Sequence, residues 1–90
     1  MGAQPADRVV IAFTPGDDRT ADALRDDRYR TYLKRTRHGP LTVDDEWEEF
    51  VSDGCGRTHD VVLRVHELHG GRTLGEDTAI EFEPAEDVTG

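Results

Sequence analysis

Cysteine, lysine and large apolar side chains are all scarce in this chain of 90 residues. Cys55 is the lone cysteine, which excludes an intramolecular disulfide and makes a reducing, cytoplasmic location the expected one. No apolar run approaches the roughly 18 residues of a membrane-spanning helix, so no membrane is expected among its partners. The opening residues, Met1 to Asp7, lack the charged segment and apolar stretch of a secretory signal. Val, Leu, Ile and Phe together number 19. That share, about a fifth, sits just above the level of roughly 20% below which a highly charged chain stays disordered. One small domain over residues 1–90 is expected, with 1–7 and 85–90 as flexible tails and a core thin enough to gain from a partner, salt or a homo-oligomer.

Charge is abundant where apolar area is not. Twenty acidic residues face eleven basic ones, ten of them Arg and only Lys34 a lysine, for a net charge of −9. That sign disfavours direct nucleic-acid binding. Two causes fit it: a surface adapted to high salt, where screening removes self-repulsion, or an acidic face aimed at a basic partner. The acids are not uniform. From Arg19 to Arg37 the chain carries seven basic and three acidic residues, while the remainder carries four and 17. A basic ridge therefore interrupts a broadly acidic molecule, either neutralising acids of the same chain or orienting a partner.

The periodicity predicts a β-α-α-β-β domain of the α+β class, a three-stranded, mainly antiparallel sheet with helices on one face. Arg8 to Thr14 (RVVIAFT) is β-branched on both faces and reads as a central strand, stopped by Pro15-Gly16. Residues 17–37 read as a kinked helix or two short ones, capped by Asp17 or Thr20, with the spacing slipping at Asp26-Asp27. Val43, Trp47, Phe50 and Val51 fall at helical spacing behind Thr42 as N-cap, which predicts a second helical segment over Thr42 to Val51 ended by Gly54 or Gly56. Asp60 to Leu68 and Thr78 to Glu83 alternate as strands. Gly70-Gly71 would join them in a hairpin, setting Arg64 across from Asp77 and Val61 across from Ile80, with a longer loop through Gly75-Glu76-Asp77 as the competitor. Helix, helix and hairpin match the back half of a winged helix in order alone; five acids between Asp44 and Glu49 would repel phosphates there.

No residue pattern carries an enzyme signature. Cys55 and His59 lack an oxyanion hole and an orienting third group, and no phosphate-cradling glycine spacing is present. Cys55, His59, His66 and His69 offer zinc-type ligands, but C-x3-H-x6-H-x2-H is no familiar zinc spacing. His66 and His69 also differ in strand parity, so they point to opposite faces unless the strand bends between them. A non-enzymatic interaction or regulatory protein without a cofactor is the expected role. It would bind a protein partner through Asp44, Asp45, Glu48 and Glu49, with Arg28, Tyr32 and Arg35 as a second contact, and its sharpest version is a nucleic-acid-mimicking inhibitor. A zinc domain built on the Cys/His set and a structural or subunit protein whose acidity reflects a high-salt habitat are the alternatives.

Overall fold

A computed structural model describes residues 4–14, 16–52 and 57–85. The β-branched run at the N-terminal end forms β1 (Arg8–Thr14) as read, with Val9, Ile11 and Phe13 buried on one face and Val10 on the other. Asp17 caps α1 (Asp18–Leu24) by accepting from the Thr20 backbone N–H at 2.8 Å. Asp26 then caps α2 (Asp27–Thr36) by accepting from Arg28 N–H at 2.9 Å, so the slipped spacing marks two short helices.

The segment Thr42 to Val51 is not helical. Thr42 and Asp45 close a tight turn, the Asp45 N–H donating to Thr42 O at 3.0 Å and the Asp45 carboxylate accepting from Thr42 N–H at 3.0 Å. Asp44 adopts a left-handed backbone (φ 79°), which interrupts a helix at its second residue. Strand β3 follows over Glu46–Ser52. Its buried side chains are Trp47, Glu49 and Val51, a period of two that brings Trp47 and Glu49 beside Leu63 and Val61 of β4 (Thr58–His69). Tertiary packing overrides the helical preference of the acids.

The sheet has four strands rather than three, in the order β3-β4-β1-β6, with a second small sheet of β2 (Gly39–Pro40) and β5 (Thr73–Leu74). β1 runs antiparallel to β4 and parallel to β6 (Ala79–Pro84). The Gly70-Gly71 hairpin does not form, because β1 lies between the two strands it would have joined, and Arg64 pairs with Asp44 rather than Asp77. The chain instead crosses the end of β1 through β5 and a turn in which Gly75 N–H donates to Thr78 Oγ1 at 3.0 Å. Residues 4–7 are not a loose tail. Pro5 bridges Thr73, Ala6 is 3% exposed, and the Asp7 N–H donates to His69 O at 2.8 Å. Both glycines serve this approach: a Cβ on Gly71 would strike the Gln4 and Pro5 carbonyls, and Gly70 (φ +85°) lies against the Asp7 side chain. Ala85 continues beyond β6, its N–H donating to Phe13 O at 2.9 Å. The remainder of the expected tails, 1–3 and 86–90, and the stop and turn residues Pro15, Gly54 and Gly56 lie outside the described residues.

Leu24 of α1 and Leu33 of α2 pack onto Ile11, Phe13, Leu63 and Val65, so both helices, each drawn from the 17–37 segment, cover the same face of the sheet. No helix among the described residues is long and apolar enough to cross a membrane.

Candidate interaction surface

With both helices on one side, the other side of the sheet has no covering layer among the described residues, and the Cα envelope is only 17 Å thick. Strand alternation and register fix what this open face displays. Glu46, Glu48 and Phe50 of β3 lie beside Arg64, Val62 and Asp60 of β4, which lead across to Ala12 and Thr14 of β1 and then to Glu81 and Glu83 of β6. Phe50 is 66% exposed and Val62 36%. Phe50 and Val62 are diagonal neighbours across β3 and β4, an exposed apolar pair set among carboxylates that offers a partner a contact point. A shallow depression lined by Ala12, Val62, Arg64, His66, Glu83 and Pro84 runs along the centre of the face.

A β-bulge rearranges one end of this face. Val10 pairs with Glu67 and Ile11 with Val65, which leaves His66 as the extra residue. The bulge shifts the parity of β4, so His66 and His69 both reach the open face: His69 Nε2 lies 2.9 Å from Glu67 Oε1 and 3.1 Å from Arg8 Nη2, and His66 Nε2 lies 3.5 Å from Glu83 Oε1. His59 is on the helix side, its Nε2 3.0 Å from Thr20 Oγ1. Of the alternative zinc set, the three described histidines do not converge: His59 is separated from His66 and His69 by the sheet, while Cys55 lies outside the described residues. Among the described residues no group of three or more His, Cys, Asp or Glu is arranged to hold a metal ion.

The expected acidic patch at Asp44, Asp45, Glu48 and Glu49 is split by the strand. Only Glu48 stands on the open face. Asp44 is exposed and paired with Arg64 (2.9 Å), and Asp45 is held in the turn with Thr42. Glu49 points the opposite way and is 6% exposed. Its Oε2 accepts from Arg37 Nη2 at 2.6 Å and Nε at 3.0 Å, and its Oε1 accepts from the Tyr32 hydroxyl at 3.0 Å. The Arg37 guanidinium also lies over the Trp47 ring, 5.2 Å from its centroid. That hydrogen bond from Tyr32, followed by the charge of Glu49, raises the Tyr32 pKa above its ordinary value. Tyr29, with its ring 5.5 Å from that of Tyr32, has a buried hydroxyl without a hydrogen-bond partner among the described residues, and burial pushes its pKa well up.

The basic ridge is largely consumed within the molecule. Besides Arg37, Arg30 donates to Ile80 O at 3.2 Å and Lys34 to Glu76 O at 2.7 Å, so α2 is tied to both β3 and the β6 side of the sheet. Arg28 and Arg35 are exposed and make no ion pair among the described residues, and Tyr32 is 44% exposed. These three lie on the helix side, away from Glu48. Sequence reasoning missed Phe50, Asp60, Val62, Glu81 and Glu83. Alternation over 46–52 was the available signal, and the charge at the buried position 49 disguised it.

A family model, Family of unknown function (DUF7968), matches residues 1–90. No curated protein and no solved structure matches the chain.

Proposed function

The chain belongs to that family, whose description assigns no activity, and we propose that it acts by binding, as a small cytoplasmic interaction protein that docks a positively charged protein on the open face of its sheet. The observation that carries this reading is the exposed Phe50–Val62 pair bordered by Glu46, Glu48, Asp60 and Glu83 on a face with no covering layer among the described residues. Arg8 and Arg64 stand among these acids, so the surface suits a basic protein better than it imitates an unbroken row of phosphates. The test is titration of the protein against a panel of basic proteins at rising ionic strength, beside the Glu46→Lys/Glu48→Lys variant. Binding is expected to weaken with salt and by about 10-fold or more on charge reversal. Binding indifferent to both would sink the proposal.

A second reading is supported by where the other acids lie. Asp18, Asp22 and Asp27 on the helices and Glu76 and Asp77 in the β5–β6 turn spread negative charge over the whole molecule, as a salt-adapted surface does. Melting followed from low to multimolar potassium chloride tests it, and equal stability at both extremes removes it.

A further inference from the structure

The two free edges of the sheet are not alike, and the difference points to how a partner is held. On β6, Ala79 and Ala85 donate their N–H groups toward β1, so the backbone groups of Ile80, Phe82 and Pro84 face outward. That edge is closed. Arg30 donates to Ile80 O and lies over the Phe82 ring, and Pro84 has no N–H to offer.

Just before β3 the carbonyl of Asp45 turns toward β4, accepting from Val65 N–H at 2.9 Å. Alternation then directs the backbone N–H and C=O of Glu46, Glu48 and Phe50 outward, and nothing among the described residues pairs with them. We infer that this edge accepts an added strand: an extended, basic protein segment pairs antiparallel with β3, placing cationic side chains opposite Glu46 and Glu48 and an apolar one opposite Phe50. The inference rests on the docking reading above and specifies its partner.

Three observations converge on that occupant. The side chains of Glu46, Glu48 and Phe50 all stand on the open face, so the strand residues hydrogen-bonded to them present their own side chains directly opposite. Alternate residues of the same strand turn to the helix side, where a recess of about 210 Å³ lined by Ala23, Tyr29, Tyr32 and Val51 opens at the far end of β3. The charge of the edge also selects. A second copy of β3 paired about Glu48 would set acid against acid, which disfavours self-pairing in that register, whereas a cationic strand meets Glu46 and Glu48 with opposite charge.

The probe is a fluorescent peptide, acetyl-Thr-Val-Leu-Val-Arg-Val-Lys-amide, which runs opposite Ser52 to Glu46, and the same peptide N-methylated at Leu, Arg and Lys. These amides are aimed at β3 opposite Phe50, Glu48 and Glu46. Anisotropy titration is expected to show the methylated peptide binding about 10-fold or more weakly, since its donors are gone while its charge is unchanged. Amide exchange at Glu46, Glu48 and Phe50 should slow on binding of the parent peptide, while Phe82 on the closed edge stays unchanged. Equal binding of the two peptides, with shifts centred on Ala12 and Val62, overturns strand addition and leaves docking on the sheet face standing. Failure of both peptides beside retained binding of a folded basic protein has the same consequence. If neither peptide nor protein binds, the docking reading falls with it.

Discussion

Replacing Arg37 by Met separates a structural ion pair from a decorative one. Glu49 is 6% exposed on its side chain and Arg37 35%, so the substitution leaves a carboxylate in the interior with only the Tyr32 hydroxyl for company. Removing one partner of a fully buried pair costs about 3–5 kcal/mol. Water reaches the outer edge of Arg37, which reduces the figure to about 2–3 kcal/mol, with about 0.5–1 kcal/mol more from the lost contact over Trp47. A domain of this size holds roughly 5–13 kcal/mol in total, so the loss is a large fraction. Glu49→Leu is the milder single change, because Arg37 can swing to solvent, at about 1–2 kcal/mol. The double variant, with apolar groups on both sides, should return to within about 1 kcal/mol of the parent. Urea unfolding followed by the fluorescence of Trp47, the one tryptophan, measures all four corners of the cycle. An Arg37→Met cost below about 1 kcal/mol, or a double variant no more stable than that single, refutes the claim that this pair pins α2 to the sheet.

Tyr29→Phe removes a buried hydroxyl that has no partner among the described residues, so stability at neutral pH should hold or rise by up to about 1 kcal/mol. Because burial raises the Tyr29 pKa in the folded state, its contribution is full below the unfolded value near 10 and is lost as pH climbs past it; the Phe variant should therefore resist alkaline unfolding better, as read by circular dichroism from about pH 9 to 12. Phe50→Ser alters a side chain that is 66% exposed, so thermal melting should change by less than about 0.5 kcal/mol while binding of a basic partner weakens several-fold; a large melting loss would mean that Phe50 is core. Gly70→Ala forces a Cβ onto φ +85° and against Asp7, and should cost about 1–3 kcal/mol with loss of amide protection in residues 4–7; unchanged protection would show that this approach is not needed.

What the sequence disclosed depended on whether one element alone decided the outcome. The β-branched run at Val9–Phe13, the capping side chain at Asp17 or Thr20 and the slipped spacing at Asp26-Asp27 are local facts, and they predict β1, the start of α1 and the break between α1 and α2. Strand β3 is different. Its inward positions are Trp47, Glu49 and Val51, and the middle one reads as apolar only when Arg37, twelve residues away, supplies the countercharge. Without that partner in view, Trp47, Phe50 and Val51 look like a helical face. Gly70-Gly71 misled for a related reason: the glycines make room for residues 4–7, a neighbour from the far end of the chain, rather than turning a hairpin. The open face is hidden by the same ambiguity, since a helix over Thr42 to Val51 would put Phe50 on one face with Trp47 and Val51.

The parallel pairing of β1 with β6 carries a kinetic consequence. Val9 sits beside Ile80 and Leu68, so the central strand is flanked on both sides by segments from the second half of the chain. The β3–β4 hairpin and the α1–α2 pair can form from neighbouring residues, but β1 has no near partner and must wait through two long loop closures. The sheet should therefore fold slowly for its size, with β6 among the last pieces to dock. Until it does, β1 presents an unpaired, apolar edge on one side, and the bonds from Arg30 to Ile80 and from Ala85 to Phe13 act as the late clasp that shuts it.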